Sequence, residues 1–390
     1  MKKILFAAFA ASLLAAGCQK TEVYQPANSG EKMTFTTGMS KLTKAQGTAA
    51  AENSGQKNLE AQDFSVWAYA DPDQDFSTAP APVTNGIYDG IENLLVECKT
   101  PSVPAEGETQ AKQAGWATTK QYYWPGPNKE LMFFAVSAKD TWLRPTSTTT
   151  PCPVDIKVPG IHEEATSTTI TINEFTVAND ANEDLMIADY VKQHQEKKTV
   201  DLTFRHTLAK VEFIFKLGDY ENIEGTTPPV IYVQSLSMAS LKNKGKLEAT
   251  LNTAAATAAS TTNWDFTWIP DGNTVPFTDH WKEVVTYPSG LEEGAGVDNT
   301  ALLLTQNDQS FSTWLMLPQN LTADNKVSVT YIIDKRQFTS TFDLRGADAS
   351  LAKWDRNQHI KYTVTLAPNL ITFNASAEEW LTDKSVNYVN

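Results

Sequence analysis

The sequence predicts an all-β protein built from antiparallel β-sandwiches. Three observations lead there. Short segments in which apolar and polar residues alternate at period two recur along the chain. Stretches rich in Gly, Pro, Asn and Thr, such as TPSVPAEGE, RPTSTTTPCP, EGTTPP and NTVPF, separate them. No segment carries a long helical period with caps, and only short helical pieces are expected, near 92–97 and 347–354. No repeat of fixed period is present, which argues against propellers and solenoids.

The first element is a targeting segment. Lys2 and Lys3 precede an apolar run, Ile4 to Leu14, of signal-peptide length and too short to span a bilayer as a helix. Ala15, Ala16 and Gly17 lead into Cys18, with Leu14 one place further from the Cys than in the commonest lipobox. The pattern reads as a bacterial lipoprotein signal over 1–17, with Cys18 acylated as the mature N-terminus. Residues 18–60 are polar and read as a leader or tether with one short strand, Met33 to Thr37.

The strands follow. DFSVWAYA (63–70) sets Phe64, Val66 and Ala68 on one face, and ELMFFAVSA (130–138) reads as a buried strand. TITINEFTV (169–177) alternates Ile170 and Ile172 with Thr171 and Asn173. AKVEFIFK (209–216) alternates most clearly, with Val211, Phe213 and Phe215 inward and Lys210, Glu212 and Lys216 outward. KVSVTYIID (326–334) and HIKYTVTL (359–366) repeat the pattern. The charged stretch HQEKK (194–198) reads as a linker, giving sandwiches over 61–198 and 199–390.

Composition narrows the partners. Removing the first 17 of 390 residues leaves 373, a length that suits two domains or one large one. The formal charge of −14 becomes about −16 without Lys2 and Lys3, so nucleic acid and anionic lipid are poor partners. Cys98 and Cys152 remain besides Cys18; in an exported protein they either pair as one disulfide or stay separate buried thiols.

No catalytic constellation emerges, and neither an enzyme nor a cofactor is expected. His162-Glu163-Glu164 lacks the second His of a zinc motif, and no nucleophile elbow, P-loop, Rossmann glycine cluster or CxxC occurs. Asp71, Asp73 and Asp75 resemble the start of a calcium loop, but Phe76 stands where Gly is needed and Pro82 where the closing Glu belongs. His206 borders a strong strand and reads as structural. Glu163–Glu164, Glu292–Glu293 and Glu378–Glu379 are sequence neighbours, which point opposite ways on a strand and make no dyad. Trp264, Trp268 and Trp281 cluster in a Thr- and Asp-rich region; they read as core residues or, alternatively, as a glycan-stacking patch.

Five stretches, in order, resemble the Bacteroidetes fimbrillin family, the Mfa-like and FimA-like type V pilins and their anchors. They are YYWPGPNKELMFFAVSA (122–138), DLMIADY (184–190), VDLTFRHTLAKVEFIF (200–215), TWLMLPQN (313–320) and WDRNQHIKYTVTLAPNLITFNASAEEW (354–380). QKTE after Cys18 resembles the signal that sends such lipoproteins to the cell surface. The resemblance implies two transthyretin-like antiparallel β-sandwich domains in tandem. It implies an outer-membrane lipoprotein held by Cys18, and polymers with other fimbrial subunits that adhere to host or bacterial surface glycans or proteins. In shaft members a protease cuts the leader, removes the first strand and opens a groove that a C-terminal strand of the next subunit fills.

Carried onto this chain, Met33 to Thr37 is the removable strand and Lys44–Ala45 the scissile bond, with Lys41 nearby. No Arg precedes Arg144, so either a Lys is cut or the leader is retained as in an anchor. The tail LTDKSVNYVN (381–390) is a thin donor strand; it donates, packs back on its own domain or frays. The runner-up reading is a monomeric surface lipoprotein that binds glycans through the three tryptophans.

Overall fold

The computed structural model describes residues 31–39, 55–100, 115–146, 150–179, 183–219, 230–252, 263–283, 300–333, 336–346, 351–367 and 370–380. The elements begin with β1 (Thr34–Met39), α1 (Gly55–Gln62), β2 (Phe64–Ala70), β3 (Val83–Thr84), β4 (Ile87–Tyr88), β5 (Leu94–Thr100), β6 (Gly115–Thr118) and β7 (Leu131–Ser137). Then come α2 (Asp140–Leu143), β8 (Val154–Lys157), β9 (Thr169–Thr176), β10 (Met186–Ala188), β11 (Val191–Gln193), β12 (Thr199–His206) and β13 (Ala209–Leu217). The remainder are β14 (Ile231–Leu251), β15 (Trp264–His280), β16 (Leu302–Leu303), β17 (Gln309–Met316), β18 (Gln319–Asn320), β19 (Lys326–Ile333), β20 (Arg336–Asp343), β21 (Lys353–Trp354), β22 (Gln358–Ala367) and β23 (Leu370–Glu379).

These strands form three main sheets. The first runs β1-β12-β10-β7-β2-β4-β3, with β11 on β7, β5 on β2 and β6 on β5. The second runs β20-β19-β14-β9-β8, with β15 and β16 also on β14. The third is β17-β13-β22-β23, and β18 and β21 pair separately. All pairs are antiparallel except two: β1 lies parallel to β12, and β22 parallel to β13.

Alternation explains the packing. Val211, Phe213 and Phe215 of β13 and Ile360, Tyr362 and Val364 of β22 face Leu236, Met238, Val327 and Val329 of the second sheet in one continuous core. Strands β2 and β7 are buried along their whole lengths. Their two faces serve different clusters. Trp67, Tyr69, Met132 and Phe134 join the large core, while Phe64, Val66, Phe133 and Ala135 form a second cluster with Met33, Phe35, Tyr122, Trp124, Leu202 and Phe204.

Three expectations need correction. The sheets do not divide at 198/199. Residues 195–197 form a 3-10 turn between β11 and β12, both in the first sheet, so HQEKK is a turn rather than a linker. β8 and β9, assigned by sequence to the first sandwich, pair instead with β14's sheet, because Ile170 and Ile172 continue the large core. Residues 94–100 form β5 rather than a helix, since Val96 is wanted by the second cluster. Conversely, α1 begins inside the supposed tether (18–60) and inserts fully buried Leu59 into that cluster.

Candidate functional site: the seat of the first strand

β1 occupies a seam in the first sheet. On one side its six residues pair in register with β12, from Thr34 opposite Thr199 to Met39 opposite Phe204. Just upstream, the chain is gripped by residues 121–124. Met33 N donates to Tyr122 O at 3.0 Å, Trp124 N donates to Glu31 O at 3.0 Å, and Gln121 Nε2 donates to Met33 O at 3.1 Å. Glu31 also forms an ion pair with Lys198 at 3.0 Å.

Side chains alternate across the strand. Met33 and Phe35 are buried, and the Phe35 ring meets Phe64 and Phe133 edge-on at 6.4 and 6.3 Å between centroids. Thr37 follows on the same face, its Oγ1 buried without a hydrogen-bond partner. Outward, Thr34 Oγ1 lies 2.8 Å from Thr199 Oγ1, and Thr36 Oγ1 donates to Asp201. The seat is rigid around the strand. Trp124 is fully buried and donates its Nε1–H to Lys198 O at 3.0 Å. Tyr88 donates to Tyr123 O at 3.0 Å, and burial pushes the Tyr122 phenol up to about 12. The site is apolar with backbone hydrogen bonds at its rims. That chemistry holds an extended chain.

The sequence-predicted residues fall as follows. The strand expected at Met33–Thr37 is present, two residues longer at its end. Cys18, Lys44 and Ala45 lie outside the described residues, as does the tail 381–390. Of the two alternatives for Cys98 and Cys152, one disulfide or separate thiols, the structure carries no bridge between them. Asn93 Nδ2 lies 3.5 Å from Cys152 Sγ, whereas Cys98 sits in β5 opposite Trp116 of β6. Burial pushes the Cys152 thiol up.

The three tryptophans do not form one patch. Trp264 is 1% exposed, donates its Nε1–H to Ala188 O at 2.8 Å and packs on Phe134, so it cannot stack a sugar. Trp281 lies just past the opposite end of the 17-residue β15 from Trp264 and packs against Phe311. Only Trp268, half-buried, lines a cleft. His206 stands at the end of β12, fully buried, with its Nδ1 2.7 Å from Asp184 Oδ2 and its ring stacked on Trp380 at 3.5 Å. Asp71 is buried and ion-paired with Lys192 at 2.8 Å.

Sequence reasoning missed the partners gathered at the FRHTLAK corner. Arg205 makes a forked contact to Asp189 (3.0 and 2.6 Å), and Thr207 Oγ1 donates to Leu185 O at 2.7 Å. Trp268 Nε1 donates to Thr207 O at 2.6 Å, and Asn357 N donates to Leu208 O at 2.8 Å. Asp189, Leu185 and Asn357 come from the other quoted stretches, whose order was the available signal, whereas Trp268 lies outside them and had none.

A multi-sheet β protein whose first strand fills a seam far from its neighbours in sequence is the class these features define. The chain belongs to the fimbrillin-like family, whose pattern matches residues 97–380. That match begins after β1 and β2. The fold is similar to that of a fimbrial protein from Bacteroides vulgatus, at 16% identity over 90% of this chain and 99% of that one, with a TM-score of 0.50. A candidate cell adhesion protein from Bacteroides uniformis is 16% identical over 84% of this chain and 95% of its own, with a TM-score of 0.43. No curated protein sequence matches the chain. Family membership implies a fimbrial, cell-surface setting.

Proposed function

We propose that this chain is a structural subunit of a cell-surface fimbria, exported as a lipoprotein through Cys18 and assembled by strand exchange at the β1 seat. The observation that carries the reading is the attachment of β1. Among the described residues it is an edge strand on β12, it buries Met33 and Phe35 in a core otherwise built from residues 59 to 204, and its covalent link to that core runs through 40–54. That connection holds Lys41, Lys44 and Ala45, the residues at which a surface protease would separate β1 from the body. Loss of β1 bares a row of β12 backbone groups and an aromatic trough. Both favour an incoming strand with apolar residues at alternate positions.

The test is the intact mass and N-terminal residue of the protein sheared from its own cells. A lipid-free chain beginning at or near Ala45, found in polymers, supports exchange at this seat. A chain beginning at acylated Cys18 sinks the exchange step and leaves a tethered surface lipoprotein or anchor.

A further inference from the structure

A second feature lies away from the β1 seat and does not depend on it. A cleft of about 970 Å³ opens between β15 and the 353–358 segment, within the size range of small-ligand sites. Its wall carries Arg356, Phe266, Trp268, Lys242, Asn320 and Asn357.

Arg356 is the unusual member. Its guanidinium carbon sits 4.4 Å over the Phe266 ring. Stacking engages the π-face and leaves the in-plane N–H donors free for a forked contact. The carboxylates nearby have other partners: Asp265 accepts from Asn252 Nδ2 at 3.3 and 3.2 Å, and the rest hold other cations. Asp189 holds Arg205 through the fork at 3.0 and 2.6 Å, Asp355 holds Lys353 at 2.9 Å, and Glu378 holds Lys361 at 2.5 Å. Among the described residues no carboxylate hydrogen-bonds to Arg356; Asp189, Asp355 and Asp265 favour its charge only from a distance. Burial, followed by repulsion from Arg205, lowers the guanidinium's pKa. Lys242 spends its ammonium on Gly272 O alone among the described residues. A chain of net charge −14 therefore keeps two cations without acid partners in one aromatic cleft.

We propose that this cleft binds a sugar acid, a uronic or sialic acid residue, with Arg356 holding its carboxylate by a forked hydrogen bond. Lys242 adds charge, the amides of Asn320 and Asn357 meet ring hydroxyls, and the partly exposed Trp268 offers an apolar wall. Asp355 and Glu378 on the same wall disfavour a run of acidic residues, so a ligand with one carboxylate on a polar ring fits better than an acidic peptide.

The experiment is saturation-transfer NMR on the full chain with D-glucuronate and N-acetylneuraminate as probes, and glucose, acetate and triglutamate as comparisons. The expected result is transfer to one or both sugar acids and not to glucose or acetate. Arg356→Gln should weaken binding about tenfold or more, the scale of one charge-assisted pair, and Arg356→Lys should weaken it less. Asn320→Ala, an exposed change that spares the fold, should weaken it severalfold. Equal transfer to glucose, no transfer to either acid, or binding unchanged in a folded Arg356→Gln would overturn the proposal. Triglutamate outcompeting both sugar acids would also overturn it, in favour of acidic peptide.

Discussion

Phe35→Ala isolates what holds the first strand. The ring is 7% exposed and lies between Phe64 and Phe133, both fully buried. Truncating a buried Phe removes its transfer energy and leaves a cavity, at a combined cost of about 3–5 kcal/mol. β1 is an edge strand and relaxes more readily than an internal one, which places the loss near the lower end, about 3 kcal/mol. That is a shift of roughly a hundredfold in the balance between docked and undocked β1. If β1 opens as its own unit, amide exchange at Thr34–Met39 rises by that factor while β13 and β22 stay protected. Hydrogen exchange read by mass spectrometry on peptides spanning 31–39, 199–206 and 209–217 measures it. Thr36→Ala is the control, since Thr36 faces outward and loses only its contact with Asp201. An increase below about tenfold at 34–39, or an equal increase at 209–217, would refute the argument that β1 is separable.

Other outcomes follow from the same packing. Trp264→Ala should cost about 3–5 kcal/mol and lower the melting temperature, because it empties a core site and orphans Ala188 O; a neutral result would return Trp264 to the surface. Glu212 is held down to about 2 chiefly by its hydrogen bond with His359 (2.8 Å), helped by Ser310. Its folded value lies below its unfolded one. Its contribution is therefore full above about pH 4.5 and is lost as pH falls toward 2. The gap in urea midpoint between the parent and Glu212→Gln should accordingly close over that window, and a gap independent of pH would contradict the pairing. Gly245→Ala should destabilise by about 1–3 kcal/mol, since its Cβ would stand 2.9 Å from Ile269 O on the paired strand; calorimetry reads the drop. Non-reducing peptide maps should show Cys98 and Cys152 unlinked, and a linked peptide would displace the β5 placement.

Much of the fold was legible because period-two alternation survives wherever one face of a strand is buried. β13 and β22 carry it along most of their lengths, and β9 and β19 until it slips at Asn173–Glu174 and Tyr331–Ile332. It fails where both faces are buried, as in β2, whose outward set Trp67 and Tyr69 serves a second core. Sheet membership was less legible. Nothing local in 154–176 says that β8 and β9 cross to β14, because pairing partners are chosen by distant complementary faces. The charge of HQEKK marks exposure, and a tight turn is as exposed as a linker. The first strand was legible in the residues and its role through resemblance, whereas its parallel register and the grip of residues 121–124 are tertiary facts. The Arg356 cleft had no local signal, since it joins residues from β14, β15, β18 and the 353–358 segment.

The two parallel pairs differ in how firmly each strand is held, which bears on the exchange proposed for β1. β12 and β13 are separated only by Thr207 and Leu208, and each carries a parallel partner from far along the chain: β1 on β12 and β22 on β13. A parallel partner cannot be supplied by a tight hairpin, so each must arrive by a long connection. β22 is then locked. It lies between β13 and β23 in its sheet, and the following Trp380 stacks on His206 and donates its N–H to Asn357 O at 2.7 Å. Among the described residues β1 has no such outer strand along its paired length; it covers the edge of β12, whose inner side pairs with β10. Replacing β1 with another extended segment of the same period would restore the same rim hydrogen bonds and the same apolar contacts without moving β12. Replacing β22 would require breaking two sheet pairs and the corner that joins the sheets. The exchange proposed above is therefore expected at the first strand's seat and not at β22.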